Sequence, residues 1–537
     1  MGDTAAYDIC IVGTGAAGGI LAHQLASAGL KVISLEQGGA LPATYFSEDN
    51  PAWTKKDFGI RPYTRFPLDP HRAIFEHELF ATDGTRSTTE GSQKAFQHYQ
   101  ILKLNGLQNL WNGVSVRFAP ADFSGWPIGY DDLAPDYGAV EKLITVCGTL
   151  EDLENLPDGE FIPPKPMRPP DQLVIDAIHR IDPHGTEIIA NRKAVETRAE
   201  RPNHCVSLGL CTSGCAAASM YKFSTRLLPE IEKMENYTLR TGAKVTRLIR
   251  DEDTNRIVDL EALDTGSGET FRVKAERYIL AAGAIETPRI LFNSRDDGYS
   301  GGLANSAGNV GRNLQDNPKV AVSSSLYKLW GTRAQYDVGY GDLLIALSRG
   351  RLGDGSDFNF IGHVIHTFPY TPFYLEGFGL IPRFLRPFFA RLMYKSYVTV
   401  AFFAPAEAVE TNRVLPSEEE DIYGVKKVDI QFQQPPRSRA MQEKMLAFAK
   451  KVIRKASGTL IIGGMDDAGT GIHYAGTCRM SAAAGEGVVN GDLRAHDHDN
   501  LYICDGGVIP VLPDKHLTLT IMALAHRLAG HLIAKSG

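Results

Sequence analysis

The stretch Asp8–Gly39 constrains the fold more than any other part of the chain. Ile9–Val12 is a short apolar run suited to a buried parallel strand. Gly13, Gly15 and Gly18 follow as GxGxxG. Gly13 allows a tight turn, Gly15 lets a pyrophosphate approach the backbone, and Gly18 lets the next helix pack closely on the strand. That helix, expected from Ala16 to Ala28, aims its N-terminal amides at the phosphates. Gly29 ends it and Lys31–Leu35 reads as the second strand. Glu36, 18 positions past Gly18, stands where a carboxylate can accept a ribose hydroxyl. The order of strand, glycines, helix, strand and acid points to a dinucleotide, either NAD or FAD. A glycine-rich turn without a ligand is the bland alternative.

The 537 residues suffice for two or three domain-sized units. An apolar content of 43% with 22% charged residues fits a soluble globular protein, and the net charge of −7 argues against general nucleic-acid binding. No apolar run reaches the roughly 18 residues of a membrane span. The short polar start, Met1 to Tyr7, leaves no room for a signal peptide, so the expected location is cytoplasmic unless a partner exports the folded chain. Cysteines number seven, and Cys10, Cys147, Cys478 and Cys504 are scattered, which is not a disulfide scaffold.

Residues 40–100 show little periodicity and read as excursions or a lid. In Leu104–Gly113, Gly106 and Gly113 bracket polar and aromatic residues, either a loop lying flat on a ring system or an ordinary turn. A helix capped by Asp131 and Asp132 is predicted within residues 124–150, and the proline-rich, acidic residues 151–170 read as a linker. Cys205, Cys211 and Cys215 then fall within eleven positions. Thiolates this close can clasp an iron–sulfur cluster, or zinc with His204 as a fourth ligand; buried reduced thiols are the alternative. Tyr221–Met234 reads as one helix. Tyr237–Arg240, Ala243–Ile249 and Arg272–Leu280 read as strands, the last running into the small residues Ala282 and Gly283, where a backbone can approach a cofactor. A helix is expected near Glu286 with Pro288 in its first turn.

Strand-like alternation at Val320–Leu326, Phe358–Thr367, Tyr397–Phe403 and Lys427–Phe432 predicts an antiparallel sheet. Phe373–Lys395 is aromatic and basic, and either covers a pocket or lies on a membrane surface. Near the end, Leu501–Cys504 reads as a strand. It runs into Asp505, whose carboxylate, with the glycine amides that follow, can hold a ribityl chain or pyrophosphate. Thr518–Leu532 reads as a helix.

Taken together, GxGxxG with Glu36, Ala281-Ala-Gly-Ala-Ile-Glu-Thr-Pro, Gly311-Arg-Asn-Leu, His473-x2-Gly-Thr-Cys-Arg-Met and Asp505 with Thr518-Leu-Thr-Ile-Met-Ala resemble the glucose–methanol–choline (GMC) oxidoreductases along the whole chain. The resemblance implies an α/β chain, α+β overall, with a Rossmann-like FAD-binding domain (1–125, 195–318, 472–537) and an antiparallel-sheet substrate-binding domain (126–194, 319–471). It implies FAD rather than NAD, with contacts from Gly13, Gly15, Ala16, Ala17, Gly18, Glu36, Gln37, Asn109, Leu110, Asn112, Gly113, Val245, Ala282, Gly283, Asp505, Gly506, His516, Leu517 and Thr518. The Gly106–Trp111 loop is similar to the sugar-oxidising branch, which includes pyranose oxidases and gluconate and fructose dehydrogenases. Pyranose oxidases attach their flavin through a histidine just before that tryptophan. Leu110 stands there, so the flavin is expected to be non-covalent. The cysteine spacing resembles FAD-dependent glucose dehydrogenases, in which three such cysteines hold a [3Fe-4S] cluster. His516 departs from the asparagine common in those dehydrogenases, and the His/His pair looks more like glucose oxidase.

Alcohol oxidation needs a base for the hydroxyl proton and an acceptor for the hydride, and imidazole is the natural base near neutral pH. The expected base is His473, with His516 orienting the alcohol and flavin N5 accepting the hydride. The two are 43 positions apart (516 − 473), so only the fold can join them. His498, His526 and His531 are expected to be structural. The expected substrate is a sugar, aminosugar or cyclitol-like polyol. Two alternatives are a lyase on the same scaffold without net redox, and a subunit that passes electrons through an iron–sulfur cluster to a partner protein.

Overall fold

The computed structural model describes residues 7–41, 85–88, 95–207, 211, 215, 217–332, 341–366, 382–385, 388–389, 392, 396–459 and 461–536. The strand Tyr7–Val12 sits third in a five-stranded sheet, in the order Leu501–Ile503, Ala275–Leu280, Tyr7–Val12, Val32–Glu36, Tyr237–Thr241. Every neighbouring pair is parallel. Ile9, Cys10, Ile11 and Val12 are all buried, as a continuous apolar strand covered on both faces requires. Helix Ala16–Ser27 crosses over the sheet and packs against helix Thr518–Ala534, which in turn meets helix Tyr130–Ile144. The Asp132 carboxylate accepts the Gly129 N–H at 2.8 Å, so the predicted acidic cap is formed.

Three of the four alternating segments enter an antiparallel six-stranded sheet, ordered Ile462–Met465, Lys319–Ser325, Tyr397–Phe403, Asp357–Ile365, Leu343–Arg351, Glu187–Ala190. The fourth, Lys426–Gln431, lies in a separate small sheet between Arg413–Glu420, antiparallel to it, and Thr85–Thr88, parallel to it. Strand residues alternate between the faces of the six-stranded sheet. Val320, Val322, Val398, Val400, Phe402, Phe360 and Val364 pack in one apolar cluster with helices Pro436–Lys455 and Pro169–Ile181. The opposite face carries Lys319, Ile361, His363, Ala401 and Phe403, with Ile361 paired to Phe403 and His363 to Ala401.

Two expected elements are divided. Arg272–Leu280 is not one strand: Thr270–Val273 closes an antiparallel meander with Ile257–Asp264 and Ala243–Arg250, and Ala275–Leu280 joins the parallel sheet. One continuous polar–apolar run thus serves two sheets. Tyr221–Met234 is two single-turn helices, Phe223–Arg226 and Leu228–Ile231, with Pro229 starting the second. The expected linker 151–170 is held by Arg192, whose buried guanidinium pairs with Glu151 at 3.0 Å and Asp158 at 2.6 Å. The excursion 40–100 and the aromatic segment Phe373–Lys395 lie mostly outside the described residues. Among those described, no helix is long and apolar enough to cross a membrane.

A buried triad ties a small sheet to the rest of the chain. Asp421 follows strand Arg413–Glu420 and receives Arg289 at 2.5 Å and Lys244 at 2.9 Å, all three side chains being at most 4% exposed. Burial alone would raise the Asp421 pKa, but the two cations outweigh it and hold it at about 2. Asp421→Ala is expected to destabilise the protein by about 3–5 kcal/mol, because two buried cations lose their shared partner. Urea unfolding checks this, and an unchanged midpoint would contradict it.

Candidate active site

The glycine turn is shaped by close contacts on one side and open space on the other. Gly13 has φ +96°, and a Cβ there would lie 2.6 Å from the Ala281 carbonyl oxygen. A Cβ on Gly18 would lie 2.0 Å from the Gly13 oxygen. On Gly15 the nearest neighbour of a Cβ would be the Asn105 oxygen, 3.9 Å away, so that side of the turn has room. Gly15 caps helix Ala16–Ser27 without a side-chain hydrogen bond, leaving the first-turn amides to an anion. Glu36 is buried and accepts the Thr14 amide at 3.1 Å, the Thr14 hydroxyl at 2.6 Å and the Gly38 amide at 3.2 Å. Its pKa is raised chiefly by burial, against the pull of these hydrogen bonds.

The 104–113 segment is an anchored loop laid across this turn. A Cβ on Gly106 would approach the Gly15 Cα to 3.7 Å. The Asn105 side chain donates to the Ser224 hydroxyl and accepts the Ser224 amide, both at 2.9 Å. The Asn109 amide donates to the carbonyls of Leu104 at 3.0 Å and Gly106 at 2.9 Å, while Asn112 accepts the Val114 amide at 3.3 Å. Gln108 is buried, and neither its side-chain nitrogen nor its oxygen has a partner among the described residues. The open side of the glycine turn, the uncapped helix, the buried Glu36 and this orphaned amide together fit a bound dinucleotide. Ala16, Ala17 and Gln37 flank the same turn, and Leu110 and Gly113 belong to the loop. Val245 is buried on Ala243–Arg250, which packs beside Val32–Glu36.

Asp505 has a role that its expected one leaves out. Its carboxylate accepts Gly283 N–H at 3.0 Å, the Thr287 hydroxyl at 2.6 Å and Gly507 N–H at 2.8 Å. It thereby locks the Ala282–Gly283 turn to the chain end that carries Gly506.

The fold brings His473 and His516 together, with ring centroids 4.7 Å apart at 72°. His473 Nδ1 lies 2.8 Å from Asn317 Oδ1. The Asn317 amide nitrogen donates to the carbonyls of Ala404 at 2.8 Å and Pro513 at 2.7 Å, so its oxygen must face the ring. We therefore assign the proton to Nδ1, which leaves Nε2 as the acceptor. The backbone is fixed as tightly. Asp316 accepts the amides of Gly471 and His473, each at 2.8 Å, on either side of Ile472, whose φ of +60° is costly for a β-branched residue. Burial pushes the Asp316 carboxyl up to about 6, with those amides opposing.

His516 directly precedes Leu517, the cap of helix Thr518–Ala534, and is preceded by Lys515, paired with Asp514 and Asp122 at 2.9 Å each. His516 Nδ1 is buried without a partner among the described residues. Burial, with Lys319 adding to it, lowers the His516 pKa to about 3. His473 lies well below 6.5 through burial, then His516, Lys319 and His363. Both imidazoles are neutral at neutral pH.

A third imidazole, absent from the sequence expectations, completes the cluster. His363 is 5.5 Å from His516, and Phe403 packs against all three rings, at 4.9 Å from His516, 5.4 Å from His473 and 5.5 Å from His363. Only its position on the inward face of a strand signals it. His526 pairs with Asp136 at 2.6 Å and His498 bonds the Asn255 carbonyl at 3.1 Å, so both are engaged elsewhere.

Cys205, Cys211 and Cys215 are free thiols. Lys165 donates to Cys205 Sγ at 3.7 Å, and burial pushes the Cys211 thiol up to about 11 against the pull of Lys193. His204 Nδ1 contacts the Arg201 carbonyl at 2.8 Å. Among the described residues, no group of three or more His, Cys, Asp or Glu is arranged to hold a metal ion.

Comparison with known proteins agrees with this geometry. Residues 183–319 and 409–525 match the N- and C-terminal profiles described as GMC oxidoreductase. Paromamine 6'-oxidase of Streptomyces fradiae is 27% identical over 99% of this chain and 93% of its own. The fructose dehydrogenase large subunit of Gluconobacter japonicus is 25% identical over 99% and 98%. Pyridoxine 4-oxidase from Mesorbium loti superimposes with a TM-score of 0.63 at 18% identity, covering 98% of this chain and 99% of that one. The two profiles fall on the segments that carry the Ala282–Gly283 turn, His473 and His516, and on that footing the chain belongs to the GMC oxidoreductases.

Proposed function

We propose that this protein is an FAD-dependent oxidoreductase that oxidises a hydroxyl group of a sugar, aminosugar or related polyol, with His473 as the base. One observation carries the assignment: Asn317 fixes the proton on Nδ1 and leaves Nε2 as a lone pair beside His516. Paromamine 6'-oxidase, 6'''-hydroxyparomomycin C oxidase and the fructose dehydrogenase subunit support the substrate class, since their names describe action on aminosugars and a sugar.

The GxGxxG turn, Glu36 and the 104–113 loop would hold FAD, which when bound supplies the acceptor for the hydride from the carbinol carbon. The chain's own residues handle the proton. His473 Nε2 accepts it from the hydroxyl, and Asn317 Oδ1, already bonded to Nδ1–H, stabilises the imidazolium that forms. Neutral His516 hydrogen-bonds the alkoxide oxygen as charge develops there. Phe403 and the buried walls keep bulk water from the rings. Because Asp316 fixes the backbone and Asn317 the ring, the base is preorganised before substrate arrives.

Three outcomes test this reading. Gly15→Val is expected to fold yet purify without flavin colour, since its side chain enters the open side of the turn; a yellow variant would contradict the site. His473→Ala, measured by anaerobic stopped flow with a sugar panel, should reduce its flavin about 10²–10⁴-fold more slowly while retaining it. The third concerns pH. The base works when neutral and its pKa is lowered, so kcat/KM should stay level down to pH 6.5 and fall only below it. Lys319→Met removes a cation that disfavours imidazolium, so this acid limb should move to higher pH. An unmoved limb would remove Lys319 from the account.

A further inference from the structure

His363 is a buried polar group with no structural reason to be polar. It is 3% exposed, on the sheet face that carries Ile361, Ala401 and Phe403. An apolar ring would pack there equally well. Its Nδ1 is buried and has no hydrogen-bond partner among the described residues. Two other buried histidines are held through a ring nitrogen: His366 Nε2 contacts Asp171, although its Nδ1 also has no partner among the described residues, and His498 bonds the Asn255 carbonyl and accepts the Ala304 amide at 3.3 Å. A buried polar nitrogen without a partner is costly, because it has lost its water and gained nothing in return. Here two such nitrogens, Nδ1 of His363 and Nδ1 of His516, belong to rings only 5.5 Å apart. Both rings face Phe403, and His516 faces His473. Two unpartnered nitrogens on rings this close call for a hydrogen-bonding partner that none of the described residues supplies.

We propose that His363 is a substrate-recognition residue whose imidazole hydrogen-bonds a second hydroxyl of the polyol, next to the one that His473 deprotonates. This rests on the alcohol-oxidation reading and extends it from reaction to selectivity. A neutral imidazole carries one donor and one acceptor, and a hydroxyl offers both in return. Burial, with His516, Lys319 and Lys193 adding to it, keeps the ring neutral. Phe403 supplies an apolar wall for the C–H face of a sugar ring. A monohydroxy alcohol would leave the His363 nitrogen orphaned, and a site built to bond a hydroxyl rejects the analogue that lacks it.

The test crosses deletions on both sides of the contact. D-glucose, D-glucosamine, D-fructose and myo-inositol are titrated calorimetrically against the FAD-loaded protein, and flavin reduction is followed anaerobically. Monodeoxy derivatives of the tightest binder are then compared on wild type, His363→Phe and His363→Gln. In wild type, one deoxy derivative should lose about 10–100-fold in kcat/KM, mostly through KM. In His363→Phe the same deletion should cost nothing further, while the other deletions keep their penalties. His363→Gln, which keeps a donor and an acceptor, should restore part of the discrimination. Flavin content and melting temperature report whether each variant folds, and His363→Gln decides the matter if the Phe variant does not. Unchanged penalties in a folded variant would overturn the proposal, as would a wild type that binds none of the panel. If wild type binds a polyol but never reduces flavin with it, the oxidation reading falls, while the binding cycle still judges His363.

Discussion

The orientation of His473 depends on two consecutive residues. Asp316 grips the backbone on either side of Ile472, and Asn317 grips the ring itself. Asn317 is in turn held by the carbonyls of Ala404 and Pro513, one from the end of a sheet strand and one from the segment that leads to His516. Both imidazoles, the six-stranded sheet and the C-terminal chain therefore meet through one side-chain amide. Asp316 adds an energetic cost. Its carboxyl titrates at about 6 instead of its ordinary 3.8, so keeping it ionised at neutral pH costs about 3 kcal/mol. The cost is absent below 3.8 and complete above about 6. The strained Ile472 and the burdened carboxylate lie beside the base, where strain of this kind serves positioning.

The sequence displays what is local. The strand, turn and helix around Gly13, Gly15 and Gly18 follow from hydrophobic pattern and backbone freedom within forty residues, and the structure reproduces their bounds to within two residues. The divided segments show the limit of local reading. Arg272–Leu280 alternates without a turn signal, yet serves two sheets, because only the placement of Tyr7–Val12 decides where the second begins. Leu228–Ile231 follows a helix former by propensity, but a proline at its start and the packing around Leu227 divide the run.

The site was legible in proportion to its motifs. His473 and His516 sit in dense, recognisable surroundings. His363 sits in Asp357–Ile365, where an inward histidine reads like any other polar residue in a strand. Asp316 and Asn317 look like an Asn-rich turn suited to phosphate, and nothing local shows that they clasp a residue more than 150 positions away. Asp505 looks like a ligand-binding acid because the donors it meets, Gly283 and Thr287, arrive from more than 200 positions earlier.

The six-stranded sheet separates two jobs by the alternation of its strands. Val400 and Phe402 look toward helix Pro436–Lys455, while Ala401 and Phe403 look toward the imidazoles. Gly362 marks how closely the first side is filled, since a Cβ there would lie 2.4 Å from the Phe402 ring. Its neighbour His363 faces the other way. Natural variation can therefore exchange the groups that meet a substrate, one position at a time, while the packed face inherits its composition unchanged. A scaffold of this kind lets chemical preference drift among descendants without each change having to be matched by a repacked interior.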